Sequence, residues 1–299
     1  MSTVHALIRR NTKLFFKDKG MFFTSLITPM ILLVLYATFL GNVYRDSFLM
    51  SFPPQLAVSD RVIDALVGGQ LISSILAVSC VTVAFCSNFL MVQDRANGTA
   101  RDLTISPVSA PALSVSYYIA SLLATLIICL AAAAVCFVYI AVIGWYLSFA
   151  DVLLILADVV LLVLFGTALS SIVNFFLSTQ GQISAVGSIV SAGYGFVCGA
   201  YMPISQFSEG LQRAVSFFPG TYATSLLRNH ALDGAFEALA DEGIPAQAID
   251  AMRATVDCDI SFFDHAVGEG AMFVILGISA AALTGVYILM NTLKSKKHG

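Results

Sequence analysis

The chain has 299 residues, of which 58% are apolar and 11% are charged, and its mean hydropathy is +0.88. Soluble domains average about 45–50% apolar and about 25% charged residues, so this chain lacks the polar surface that a water-exposed globule needs. The composition therefore predicts a membrane protein with no room for a substantial soluble catalytic domain. The net charge of −3, with no continuous basic face, excludes nucleic acid as a partner.

The first predicted element is an amphipathic helix over residues 1–19. Leu7, Leu14 and Phe15 fall on one helical stripe, while Arg9 and Arg10 fall elsewhere. Such a pattern is typical of a helix that lies in the cytoplasmic interface of a membrane, with its cations among anionic headgroups. The alternative is a cytosolic leader that only sets the topology.

Six apolar segments are each long enough to cross a hydrocarbon core of about 30 Å. Because only helices satisfy their own backbone hydrogen bonds in lipid, and no strand-like alternation is present, the predicted class is an all-α integral membrane protein. An even number of spans puts both termini on one side, and the distribution of Lys and Arg predicts that this side is cytoplasmic. The predicted spans cover residues 21–41, 67–92, 113–143, 152–177, 182–202 and 270–293.

Residues 94–106 connect the second and third predicted spans on the cytoplasmic side. A short helix here would be too polar to insert, yet it would be tied to two spans and could transmit a partner's movement to them. The alternative is a solvated turn whose arginines only follow the positive-inside rule. The candidate coupling residues are Asp94, Arg95, Asn97, Gly98, Thr99, Arg101 and Asp102.

Asp158 is the one carboxylate well inside an apolar run. A charge at membrane depth marks a transport pathway by default, which makes Asp158 a candidate pathway residue. Solvation or pairing at the outer interface is the alternative, because Asp158 lies only about 10 Å below the outer end of its span at 1.5 Å per residue. Asn88 and Asn174, near the cytoplasmic ends of their spans, are predicted to form hydrogen bonds between helices.

The fifth predicted span carries small residues at a spacing of four, namely Gly187, Ser191, Gly195 and Gly199. Small residues at this spacing let a neighbouring helix approach closely. The spacing alone is equally compatible with packing inside one subunit and with an interface between two copies of the chain.

Residues 203–232 contain two apolar pieces of about ten residues on either side of Pro219 and Gly220. Each piece is too short to span, so we predict a re-entrant helical hairpin in the outer leaflet, with an interfacial loop as the alternative. An acidic extracellular loop is predicted over residues 233–268. The candidate outer-gate residues are Pro203, Phe218, Pro219, Gly220 and Tyr222.

Motifs for chemistry are absent from the sequence. The four histidines have no metal-ligand spacing, and no lysine follows a glycine as a phosphate-binding loop requires. We therefore predict no catalytic residue, no metal site and no cofactor on this chain. Any ATP hydrolysis must take place on another chain.

Two stretches resemble the ABC-2 type permeases, the membrane subunits of type-2 ATP-binding-cassette exporters. Residues 94–107, with the pattern Asp-x-x-x-Gly-Thr and then Leu-x-x-Ser-Pro, resemble the coupling segment of that family, although Asp94 stands where the family commonly has Glu. Residues 199–228, from Gly-Ala-Tyr-Met-Pro-Ile to Phe-Pro-Gly-Thr-Tyr and Arg228, are similar to the family signature after its fifth span.

The resemblance implies a single ABC-2 transmembrane domain over residues 1–299, acting as an exporter permease by alternating access. It implies a homodimer, with the first and fifth spans at the contact, bound to two copies of a separate ABC ATPase that holds ATP and Mg. Residues 94–106 would dock on that ATPase. The implied location is the plasma membrane, in a prokaryote the cytoplasmic membrane, with lipids and the transported substrate as further partners.

Two other hypotheses remain open at the level of the sequence. One is an ion-coupled secondary transporter that works through Asp158, although no inverted repeat of broken helices is visible. The other is a non-transporting membrane subunit with a role in assembly or immunity. The substrate, whether a drug, lipid, peptide or glycan, is also open.

Overall fold

A computed structural model describes residues 3–51, 58–105, 108–263 and 265–296. Most of these residues lie in helices, and two short strands form the single sheet of the described residues. A π-helical turn, Tyr36–Leu40, joins α2 to α3. The helices are α1 (Thr3–Lys17), α2 (Lys19–Leu35), α3 (Gly41–Ser51), α4 (Asp60–Ala96), α5 (Thr99–Ile105), α6 (Ala110–Ile143), α7 (Phe149–Phe175), α8 (Gln180–Val197), α9 (Glu209–Val215), α10 (Pro219–Asp241), α11 (Ala246–Thr255) and α12 (Glu269–Lys296), and the strands are β1 (Ile260–Phe262) and β2 (His265–Val267).

Within the described residues, five helices are long and apolar enough to cross a membrane. They are Lys19–Met50, Asp60–Ala96, Pro111–Ile143, Phe149–Phe175 and Glu269–Leu293. This result confirms an all-α membrane protein. Helix α8, inside the predicted fifth span, has 18 residues and is not one of the five. Six spans and cytoplasmic termini therefore stay predictions.

Helix α4 is the central element of the bundle. The most apolar part of α4 is completely buried, and α2, α6, α7, α8 and α10 all contact it. Gly69 brings α4 very close to α10, since a Cβ atom at this position would lie 2.6 Å from the carbonyl oxygen of Ala231. Helix α4 is therefore in direct contact with most of the bundle.

Helix α10 is buried although it is rich in polar side chains. These groups are tolerated because they form hydrogen bonds with neighbouring backbone. Ser225 Oγ donates to the carbonyl oxygen of Cys258 at 2.8 Å, and Asn229 Nδ2 donates to the same oxygen at 2.7 Å. Thr224 Oγ1 donates to the Gly220 carbonyl at 3.0 Å. The polar side chains of α10 thus fix the segment before β1 against the helix.

The region predicted as a hairpin over 203–232 and a loop over 233–268 is organised differently in the structure. Helix α9 has seven residues, but α10 continues without interruption from Pro219 to Asp241, so its length is more than twice the predicted ten residues. The predicted boundary at residue 232 therefore falls inside a helix. The predicted loop contains α11 and an antiparallel pair of strands, in which Ile260 lies opposite Val267.

Candidate functional site

The predicted coupling residues lie around the turn between α4 and α5, at what we call the α5 end of the bundle. Gly98 has a φ of +81°, in the left-handed region that favours glycine, and it separates the two helices. Residue 106 lies outside the described residues. The last turn of α4 contains Asp94 and Arg95, the turn contains Asn97 and Gly98, and α5 contains Thr99, Arg101 and Asp102.

Asp94 is buried inside the bundle. Arg10 Nη1 of α1 lies 2.8 Å from Asp94 Oδ2, and the Tyr117 hydroxyl of α6 donates to the same oxygen. Burial lowers the pKa of Arg10, but the hydrogen bond and charge of Asp94 outweigh it, so the pKa of Arg10 is raised above its ordinary value. One carboxylate therefore joins α1, α4 and α6.

Arg95 joins α4 to the end of α7. Its Nη1 atom donates to the carbonyl oxygens of Asn174 at 3.1 Å, Phe175 at 3.0 Å and Leu177 at 3.2 Å. The last carbonyl groups of a helix have no partner within the helix, and a cation is favoured at that end. Asp94 and Arg95 together attach the α5 end of α4 to three other helices.

The four small residues at a spacing of four in the predicted fifth span have neighbours within the same chain. A Cβ atom at Gly187 would lie 3.4 Å from a phenylalanine ring of α4, and one at Gly195 would lie 2.4 Å from the Tyr201 ring. The Tyr201 hydroxyl donates to the Ser191 carbonyl at 3.1 Å, and Gly199 adopts a φ of +77° beyond the end of α8. These contacts favour packing within one subunit, and a subunit interface at these residues stays a prediction.

The predicted outer-gate residues surround the junction between α9 and α10. The Phe218 ring lies edge-on to Phe165 of α7, at 6.0 Å between centroids, and to Tyr194 of α8, at 5.8 Å. The Tyr222 hydroxyl donates to the Ser216 carbonyl at 2.6 Å. The junction itself contains Phe218, Pro219, Gly220 and Tyr222, and Pro203 is buried in the turn that follows α8. The junction is packed against two long helices, whereas its function as a gate stays a prediction.

Asp158 is 1% exposed and pairs with His230 of α10. The distance between His230 Nδ1 and Asp158 Oδ2 is 2.6 Å, and Asp158 Oδ1 has no hydrogen-bond partner among the described residues. The imidazole ring of His230 stacks on Phe273 of α12, with 5.7 Å between centroids. Asp158 is therefore paired within the bundle, where α7, α10 and α12 meet, and its role in a transport pathway stays a prediction.

A second buried pair, Arg228 with Asp257, was not anticipated. Arg228 Nη1 lies 3.2 Å from Asp257 Oδ2, and its Nη2 donates to the Gly199 carbonyl. Asp257 also accepts from the backbone N–H groups of Ile204 and Ser205. This pair holds α10, the turn after α8 and the segment before β1 together.

The missed pairs have one cause in common. The residues of Arg10–Asp94, Asp158–His230 and Arg228–Asp257 are separated by 84, 72 and 29 positions. A charged residue in an apolar run signals that a partner is needed, because an unpaired buried charge is very costly. That signal does not identify the partner when no local spacing connects the two.

A groove of about 550 Å³ runs between α2, α4 and α8 near the α5 end. Polar side chains such as Thr24, Gln93 and Ser188 share its wall with Ile27 and Phe89. The mixed lining suits a molecule with both polar and apolar parts.

The chain matches the family model described as ABC-2 type transporter over residues 2–231. This protein belongs to the ABC-2 type transporter family. The permeases of this family are membrane subunits that work with an ABC ATPase and are not ATPases themselves. No curated protein sequence matches the permease significantly.

The matched range of the permease contains the whole predicted coupling turn, as well as Arg10, Asp158 and His230. It ends inside α10, so Asp257, α11, both strands and α12 lie beyond it. Arg228 therefore connects the matched part of the permease to the part that follows.

Proposed function

We propose that this chain is the permease of an ABC exporter and moves its substrate outward by alternating access, driven by a separate ATPase subunit. The observation that carries the proposal is the attachment of the α5 end of α4. Because Asp94 and Arg95 connect this end to α1, α6 and α7, a force applied to α5 passes through the turn at Asn97 and Gly98 into α4 and from there reaches three further helices.

The coupling residues divide into two groups in this proposal. Asp94 and Arg95 face inward and transmit movement, while Arg101 and Asp102 have exposed side chains and contact the ATPase. The proposed orientation places the α5 end in the cytoplasm and the strands outside. ATP and Mg are held by the two ATPase copies, and the permease binds neither.

Two copies of the permease meet across α2 and α8 in this proposal. These helices expose apolar side chains, including Phe23 at 62% and Ile189 at 70%, on either side of the groove. The groove is the entrance for substrate from the cytoplasmic side. The α9–α10 junctions of the two copies close the outer side.

The test is co-expression with an ABC ATPase from the same genome, followed by reconstitution of the complex in liposomes. We expect the permease to bind the ATPase and to change its rate of ATP hydrolysis, and Arg101→Glu to abolish both effects. Arg61→Gln, which alters an exposed arginine at the opposite end of α4, is the matched control and should preserve them. Coupling that survives Arg101→Glu would overturn the proposal.

The Asp158–His230 pair favours one second candidate, an ion-coupled transporter. Buried ionisable pairs within membrane helices are typical of proton relays. This candidate predicts a proton flux without ATP, measured with a pH-sensitive dye enclosed in proteoliposomes, that disappears in Asp158→Asn. The exporter proposal predicts no such flux in either form.

A further inference from the structure

Three phenylalanines form a cluster at the strands, which we call the aromatic patch: Phe217 and Phe263 are exposed, and Phe262 is half-buried. The centroid of the Phe217 ring lies 5.3 Å from that of Phe262 and 5.7 Å from that of Phe263. The Phe217 side chain is 66% exposed and that of Phe263 is 45% exposed. A contiguous exposed aromatic surface indicates an interaction site.

The backbone at Phe263 supports this interpretation. Phe263 has a φ of +45°, in a region that bulky residues rarely adopt and that glycine or asparagine occupies with less strain. An aromatic ring at a position where the backbone favours another residue points to a requirement for the ring itself.

The aromatic patch lies at the depth of a membrane interface. Ile260 of β1 packs in one cluster with Met272 of α12. Met272 is three residues beyond Glu269, where the candidate span begins, which corresponds to about 4.5 Å along the helix axis at 1.5 Å per residue. The strands therefore stand beside the first turn of a spanning helix.

A pocket of about 260 Å³ adjoins the aromatic patch and carries one charge of each sign. Glu209 and Arg213 are one turn apart on α9, both are exposed, and neither forms a salt bridge within the part of the chain that the structure describes. The Arg213 guanidinium lies 5.9 Å from the centroid of the Phe263 ring. The pocket is lined by Glu209, Gln212, Arg213, Ser216, Ser261 and Phe263.

We infer that this pocket binds the zwitterionic headgroup of a phospholipid in the adjacent leaflet. Arg213 binds the phosphate, Glu209 binds the ammonium group, and the aromatic patch packs against the glycerol and upper acyl chains. An anionic headgroup is disfavoured because it meets Glu209 without a cation of its own. The inference requires only that the spans lie in a bilayer, so it stands apart from coupling to an ATPase.

The consequence is an anchor for the α9–α10 junction. Helix α9 ends just before Phe217, and α10 begins at Pro219 and carries His230 and Arg228 into the bundle. Binding of a lipid at α9 therefore fixes the level of the junction relative to the leaflet.

The experiment uses tryptophan fluorescence in the full-length chain. Trp145 is the single tryptophan, so Trp145→Phe combined with Phe263→Trp places one reporter in the aromatic patch. The protein is reconstituted in phosphatidylcholine vesicles that contain an equal mole fraction of acyl-brominated phosphatidylethanolamine or phosphatidylglycerol. We expect the zwitterionic lipid to quench the reporter about 1.5- to 5-fold more strongly, the range that an exposed ion pair gives.

The controls separate the headgroup site from simple contact with lipid. Glu209→Gln should abolish the preference, because it removes the group that repels the anionic lipid, whereas Arg61→Gln, an exposed arginine at the same end of the bundle, should retain it. Arg213→Gln should lower quenching by both lipids, because each binds through its phosphate. Phe217→Trp serves as a second reporter if Phe263→Trp fails to fold. If neither lipid quenches the reporter, the inference is overturned. This holds whether or not Phe217→Cys can be cross-linked between two copies of the chain. Equal quenching by both lipids, a preference that survives Glu209→Gln, or quenching that Arg213→Gln leaves unchanged also overturns it.

Discussion

Asp257 combines three tasks in one side chain. It neutralises Arg228, accepts hydrogen bonds from two backbone N–H groups, and occupies a φ of +56° that aspartate and asparagine tolerate better than other non-glycine residues. Asp257→Asn and Asp257→Leu both leave Arg228 buried without a counter-ion, but Asp257→Asn keeps one acceptor and the backbone preference, whereas Asp257→Leu removes both.

We expect Asp257→Leu to lower the free energy of unfolding by about 3–5 kcal/mol, the cost of breaking a buried ion pair. Asp257→Asn also breaks the ion pair, but it should cost about 1–3 kcal/mol less than Asp257→Leu, because its amide oxygen still accepts a buried hydrogen bond. Thermal unfolding in detergent, followed by intrinsic fluorescence, measures the order of the two variants. Equal losses would mean that the lost charge accounts for the whole effect and that the acceptor and the backbone preference kept by asparagine contribute nothing.

The pair between Arg10 and Asp94 gives a second prediction for single residues. Arg10→Gln should reduce stability by about 1–3 kcal/mol, because it leaves the buried Asp94 carboxylate without its cation. Arg9→Gln, an exposed neighbour on the same helix, should have little effect. Thermal unfolding compares the stability of the two variants. A similar loss of stability in both would show that the total positive charge of α1, and not the Arg10–Asp94 pair, stabilises the fold.

Two asparagines show how far the sequence predicts individual contacts. Asn88 was predicted to bond between helices, and its Nδ2 atom donates to Ser170 at 3.1 Å and Ser171 at 2.7 Å, which confirms the prediction. The same prediction for the Asn174 side chain was wrong, because its side-chain amide has no hydrogen-bond partner among the described residues. Only the backbone carbonyl of Asn174 accepts a hydrogen bond from another helix, from Arg95. Periodicity indicates that a polar group is buried, but the rotamer and the neighbouring helix decide whether a partner is within reach.

At the scale of the elements, backbone contact between α10 and the chain before α7 depends on one glycine. A Cβ atom at Gly234 would lie 1.9 Å from the Tyr146 carbonyl oxygen, whereas one at Gly277 in α12 would meet nothing within 4 Å. Gly234→Ala should cost about 1–3 kcal/mol, because a well-packed site must shift to accept it. Gly277→Ala should be neutral or slightly stabilising, since alanine is the better helix former. Unfolding curves measure the free energy of unfolding of the two variants. A neutral Gly234→Ala would mean that the Tyr146 carbonyl does not lie against Gly234.

At the turn between α4 and α5, the effect of a substitution on backbone conformation can be measured without a change in side-chain packing. Gly98 has open space around it, so only its positive φ restricts substitution. Asparagine tolerates that region and a β-branched residue does not. We therefore expect Gly98→Asn to retain coupling to the ATPase and Gly98→Val to lose most of it, with unchanged thermal stability of the bundle. Stimulation of ATP hydrolysis is the measurement, and equal activity of both variants would show that the angle between α4 and α5 is unimportant.

The elements were predicted best where hydrophobicity alone decides. The helices at 60–96, 110–143, 149–175 and 269–296 each contain most of a predicted span, since apolar runs of this length have few alternatives. Helix α10 was given the wrong length because Arg228 and His230 interrupt its apolar pattern, and they are tolerated only through partners distant in the chain. The strands at 260–267 are too short to produce a clear periodic signal.

For the whole molecule, the distribution of exposed apolar side chains distinguishes helices that face lipid from those that face protein. Helix α4 is buried on all sides, while α2, α6, α8 and α12 expose apolar surface. On α2 and α8 this surface adjoins a groove with polar lining, whereas the cavity between α7 and Phe273 of α12 is lined by apolar residues. A groove with polar side chains between two apolar faces suits contact with a second copy of the chain better than contact with lipid. Lipid would leave the polar side chains of the groove without hydrogen-bond partners.

The subunit arrangement can be tested with two cysteines of matched exposure. Ile189 on α8 is 70% exposed and Ile278 on α12 is 65% exposed. The six native cysteines are all buried, and burial raises the pKa of the Cys258 thiol to about 12, so these thiols react slowly. In membranes treated with a flexible bismaleimide, we expect Ile189→Cys to form a covalent dimer and Ile278→Cys to remain monomeric, because a two-fold contact brings the same surface of both copies together. A dimer through Ile278→Cys alone would move the interface to α12 and leave the groove facing lipid, and it would remove the proposed route between two copies.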